Sequence, residues 1–180
     1  MWSKQIGGPA DDVAFAVAAD NAGNAVVTGY VQGMVNFGGG STASAGSLDS
    51  FVAKYASDGS HAWSRRLAGA NAEQGLGIAM SGTGDVLVVG AFQGTVDFVT
   101  GPLASAGSWD IFVAKYAAGG TPLWSKRYGN SGDDYGYAAA FDASGNATVA
   151  GTFHDTVDFG GGVSLTSAGW TDAFVLNLAP

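Results

Sequence analysis

Asp49–Leu67 reads DSFVAKYASDGSHAWSRRL, and Asp110–Tyr128 reads DIFVAKYAAGGTPLWSKRY. Each is a short apolar run, a Gly-bearing turn, and a second short run that turns basic after its Trp. That pattern spells two antiparallel strands joined by a hairpin. The first run starts again at Asp172 as DAFVLNL, but no Trp-led run follows it before Pro180. A Trp-led run with no strand before it stands instead at Trp2, in WSKQI.

Working outward from that hairpin, the whole chain repeats. Trp2, Trp63 and Trp124 are 61 residues apart, as are Gly29, Gly90 and Gly151, and Phe37, Phe98 and Phe159. The triplet SAG recurs at Ser44, Ser105 and Ser167; the last step is 62, so the third copy carries one extra residue. A single array over 1–180 divides into repeats 2–62, 63–123 and 124–180. Each copy predicts four strands. The first is VAFAVAA, matched by QGLGIAM and YGYAAAF, and the second is NAVVTGYV, matched by DVLVVGAF and NATVAGTF. DNAGN, SGTGD and DASGN join these two as hairpin turns, with Gly supplying positive φ. The FVAKY and WSRRL segments are the third and fourth strands.

The first two strands are apolar on both faces, where a sheet with one wet face would alternate. These sheets are therefore expected to be covered on both sides. The first strand is rich in Ala and Gly in every copy, as needed where sheets converge on an axis. The fourth carries Lys4, Arg65, Arg66, Lys126 and Arg127, which suits a solvated outer edge. Four antiparallel strands, small inside and charged outside, repeated, describe the blade of an all-β propeller. A β-solenoid is the rival, but its rungs are usually shorter.

The stretches DDVAFAVAADNAGNAVVTG, DSFVAKYASDG and HAWSRRLAG resemble the bacterial SBBP family of β-propeller repeats, three times over and across nearly the whole chain. The second copy departs from the pattern: Ala72 and Glu73 replace the Asp pair, and Ser81 replaces the turn Asp. The resemblance implies a propeller found in exported or cell-surface bacterial proteins. It implies no catalytic residues.

Propellers have about four to eight blades, and three wedge-shaped sheets do not close a ring. The third copy supplies only three strands, and the Trp2–Ile6 segment is a spare fourth. The expected arrangement is a homodimer of two chains and six blades, with strand 2–6 of each completing the partner's third blade in trans. Such closure removes unpaired edges and obeys the usual two-fold symmetry. A trimmed fragment of a longer propeller is the other reading, and the two are compatible.

The chain has 15 acidic and 7 basic side chains, a net charge of −8, and no cysteine. Nucleic-acid binding needs a basic surface and is disfavoured, as is an anionic membrane. No apolar run is long enough to span a bilayer, and no leader-like segment is legible. Without cysteine there is no disulfide, thiol nucleophile or cysteine metal site.

The long second-to-third connections, Gly33–Asp49, Gly94–Asp110 and Asp155–Asp172, are candidate functional loops. The same face collects Asp11, Asp12, Glu73, Asp133 and Asp134. Clustered carboxylates suit Ca²⁺; capping of backbone NH groups is the preferred reading, and no metal is assigned. Trp109 and Trp170 lie near the ends of two of these loops, where they would stack on a sugar ring or pack on the neighbouring blade, packing being the preferred reading. His61 and His154 show no partner set for a metal or triad. Asn146 begins a formal NAT sequon in a turn, which carries little weight. No cofactor is implied and no enzyme is expected. The expected function is a non-catalytic scaffold or protein-interaction module. The alternative is a ligand-binding propeller, a carbohydrate lectin or a calcium site, using the long-loop face.

Overall fold

The computed structural model describes residues 1–43, 45–98 and 100–179. Val99 lies outside the described residues, as do Ser44 and Pro180, which entered the repeat alignment. The first unit folds as β1 (Val13–Ala19), β2 (Ala25–Val31), β3 (Val35–Asn36), β4 (Ser41–Thr42), β5 (Asp49–Tyr55) and β6 (His61–Leu67). The second gives β7 (Glu73–Met80), β8 (Val86–Phe92), β9 (Thr95–Asp97), β10 (Pro102–Ala104), β11 (Asp110–Tyr116) and β12 (Pro122–Tyr128). The third gives β13 (Tyr135–Phe141), β14 (Ala147–Phe153), β15 (Thr156–Asp158), β16 (Ser164–Thr166) and β17 (Asp172–Leu178). Every pairing between these strands is antiparallel, and no helix occurs among the described residues.

Two sheets have four strands, in the orders β1-β2-β5-β6 and β7-β8-β11-β12; the third has three, β13-β14-β17. The long connections differ from the loops expected. Each folds back as a small hairpin, β3-β4, β9-β10 or β15-β16. The physical reason is a short alternation: in TVDF, Val96 and Phe98 are fully buried while Thr95 and Asp97 face out. Val157 and Phe159 repeat this in the third unit.

The turns joining the first two strands are fixed by their first residue. Asp20 accepts the NH groups of Ala22 and Asn24, both at 2.9 Å, and Asp142 accepts those of Ser144 and Asn146. Ser81 makes one such bond, accepting Asp85 NH at 3.0 Å. Each inner strand carries a β-bulge against the second strand, leaving Phe15, Leu76 and Tyr137 unpaired. The bulge drives a carbonyl into the neighbour: a Cβ on Gly29, Gly90 or Gly151 would lie 1.8–1.9 Å from the oxygen of Val13, Gln74 or Tyr135. That is why glycine recurs there at the repeat spacing.

The sheets stack face to face. Val26 and Val52 of the first meet Val86, Val88, Phe112 and Tyr116 of the second in one core. Leu87 and Val113 of the second meet Val149, Phe153 and Phe174 of the third in another. A smaller core lies on the far face of the first sheet, where Val31, Phe37, Phe51 and Tyr55 are covered in part by Ile6. Lys54 is nearly buried, and its ammonium donates to the carbonyls of Gly84 and Ala118 at 3.0 and 3.1 Å. It thereby ties the first sheet to two turns of the second.

The outer strands are less solvated than their basic residues suggest. Arg66 pairs with the buried Asp49 at 3.0 Å and Arg127 with the buried Asp110. Both guanidiniums fold inward onto the third strand of their own sheet.

Candidate functional site

The acidic residues of the long-loop face have separate tasks. Asp12, Glu73 and Asp134 occupy one position of consecutive units. Asp12 accepts Gly8 NH at 2.7 Å and Gln32 NH at 3.1 Å. Asp134, fully buried, accepts the NH groups of Asn130 and His154, both at 2.9 Å. Glu73 accepts Gly69 NH at 2.9 Å, and its other oxygen is buried without a partner. Asp12 and Asp134 therefore clasp the chain entering their sheet to the chain leaving the second strand, while Glu73 holds the entering chain alone. Asp11 is exposed and Asp133 half-buried. The five are not drawn into one cluster: among the described residues no three His, Asp or Glu side chains come close enough to hold a metal ion.

Between stacked sheets these acids meet the buried ion pairs. Glu73 lies near Asp49 and Arg66, and burial pushes its carboxyl up to about 7. Asp134 is raised likewise, by burial first and then by Asp110. The third sheet has the corresponding Asp172, which accepts Ala168 NH at 2.8 Å. The repeat position of Arg66 and Arg127 is filled in the N-terminal segment by Gln5.

The repeating tryptophans are joints between units. Trp63, on the outer strand of the first sheet, lies on Gly120 of the second, contacts Tyr116, and donates Nε1–H to Ala118 O at 3.0 Å. Trp2 does the same one unit earlier: it lies on Gly59, contacts Tyr55, and donates to Ser57 O at 3.0 Å. Trp2–Ile6 forms no strand within its own chain, yet it is seated on the first sheet as an outer strand of a preceding sheet would be.

Trp109 and Trp170 part company. Trp109 is half-buried, stacks on Tyr135 at 5.9 Å, and bridges to Asp133 of the next unit; Tyr135 stacks in turn on Tyr137 at 5.8 Å. Trp170 is 90% exposed. Around it the third unit departs from the other two. His154 stands where they have Gln32 and Gln93, and Asp155 where they have Gly33 and Gly94. His154 is held at both nitrogens: Nδ1 donates to Asp133 O at 2.7 Å, and Nε2 lies 3.0 Å from Thr171 Oγ1. Asn130 donates to the carbonyls of His154 and Thr156. The sequence showed no partner for His154, because these contacts span 17 to 24 residues. The available signal was the set of departures themselves, all in one loop of one copy.

Two faces are left open. Val52 and Val113 are fully buried, but the corresponding Val175 is 74% exposed. Ile78 is 7% exposed and its counterpart Val17 is 70%. The edge of β17 has no strand beside it among the described residues.

No family model matches the chain. An uncharacterized WD repeat-containing protein of Acanthamoeba polyphaga mimivirus is 27% identical over 158 residues, 77% of this chain. The chain spans 11% of that protein's length. The similar protein is viral, so this comparison carries a likeness coarser than the bacterial repeat family named above. Taken with the antiparallel sheets, it identifies the chain as similar to propeller-like repeat proteins.

Proposed function

We propose that this chain is a non-catalytic propeller-like scaffold for protein interaction, and that two copies close head to tail into one ring of six sheets. Trp2–Ile6 of each copy then becomes the outer strand beside β17 of the other, and the face bearing Val175 stacks on the partner's face bearing Val17. The observation that carries the reading is the identical seating of Trp2 and Trp63 on consecutive sheets. The segment already holds the position of an outer strand and lacks only the edge to pair with. Joining that edge to the open one satisfies both rows of backbone groups. The likeness to a WD repeat-containing protein supports a scaffold rather than an enzyme, as does the engagement of Asp12, Glu73 and Asp134 with backbone NH groups. The SBBP resemblance supports the same reading.

Light scattering tests it. The expected mass is twice the 18.0 kDa chain, and deletion of residues 2–6 should abolish it. A well-behaved particle of single-chain mass overturns the ring.

A further inference from the structure

We propose that the third unit carries a binding site for a neutral saccharide, with one sugar ring stacked on Trp170 and its hydroxyls bonded to Asp155. The site is built from residues of a single chain. Its cleft, of about 330 Å³, is lined by His154, Asp155, Gly169 and Trp170, at the lower end of the roughly 300–1,000 Å³ of small-molecule sites.

The indole stands where the other two units carry a small side chain beside the following sheet. Trp170 corresponds to Ser47 and Ser108, which are exposed although the following sheet is packed in place. At 90% exposure the indole adds little to the packing of its own chain. Nor does it belong to a broad apolar patch, since Gly169, Thr171, His154 and Asp155 surround it. One flat apolar platform rimmed by polar groups fits a ligand with a C–H face and a hydroxyl edge.

Asp155 points the same way by its backbone. Its φ of +49° is unique among the described non-glycine residues, and the other two units use glycines there, at +65° and +66°. A Cβ has thus been accepted in a conformation that costs it. The carboxylate so gained is exposed and makes no hydrogen bond or ion pair among the described residues. A free carboxylate beside an indole accepts sugar hydroxyls and repels an anionic ligand. The imidazole of His154, held at both nitrogens, fixes Thr171 and the loop next to Trp170.

The test is a titration followed by the indole NH resonances, using maltotriose, cellotriose, xylotriose, triacetylchitotriose and the anionic trigalacturonate, each into the millimolar range. At least one neutral trisaccharide should shift the Trp170 resonance. Trp170→Ser and Asp155→Gly restore the residues of the other units; each should weaken that binding at least tenfold while leaving thermal midpoint and solution mass unchanged. No response to any neutral probe overturns the site, as does binding of trigalacturonate alone. Loss of the two-chain mass in Trp170→Ser also overturns it, making the indole an anchor between chains. A single-chain mass for the wild type with saccharide binding intact would overturn the ring and leave this site standing.

Discussion

Val113 and Val175 fill the same position of consecutive units, yet one is fully buried and the other 74% exposed. The side chain, the strand and the register are alike; the difference is whether another sheet is stacked on top. Burial here is a property of the array rather than of the residue, as expected where each unit contacts only its neighbours. The inner junctions show what a finished seam contains: an apolar face, a Trp seated on the next sheet, and an Asp–Arg pair beside a clasping acid. The open ends hold the same parts separated, apart from the arginine.

The sharpest way to break this comparison is to put a charge at both valines. Val113→Asp should strand a carboxylate in the core and cost roughly 3–5 kcal/mol, read as a large fall in denaturant midpoint. Val175→Asp should leave the fold intact and abolish the two-chain mass. Equal unfolding in both variants would show that Val175 is already covered in another way.

A smaller effect separates the clasping acids. Glu73 is raised from 4.5 to about 7 by burial, so between those values the folded state keeps a proton the unfolded state has released. Stability should fall as pH rises through that window. Glu73→Gln should flatten the slope and be more stable than wild type at pH 8 by roughly 2 kcal/mol, in urea melts across pH. An unchanged slope would assign it to other groups. The smallest effect tests the missing arginine: Gln5→Arg should pair with the partner's Asp172 and tighten association by up to about tenfold, measured by sedimentation. Weaker association would show that the proposed seam is not built like the inner junctions.

Much of this is legible in the sequence, and for a reason. The strands and turns repeat, so each pattern stands in the sequence three times, and Asp20, Ser81 and Asp142 mark their turns through local chemistry. The small hairpins were missed because β3 and β4 are only two residues long, too short for periodicity. Buried Lys54 and the Arg66–Asp49 pair were missed because composition marks such groups as surface; the stacked sheet supplies the partners of Lys54, and the pairing of β5 with β6 brings Arg66 to Asp49. The acidic face was visible as a set of residues, but its division into clasps depends on which backbone NH groups the register brings within reach. At the third-unit cleft the residues were visible, Trp170 among the candidates; the positive φ of Asp155 was not.

The seating of Trp2 on the first sheet means that the repeating unit of sequence and the stacked sheet are out of phase by one strand. A tandem duplication of any segment running from one Trp to the next therefore adds a whole sheet while leaving the same donor strand at one end and the same acceptor edge at the other. An array built this way can lengthen or shorten by gene rearrangement while keeping the same kind of end at each side, and its number of sheets becomes a matter of copy number.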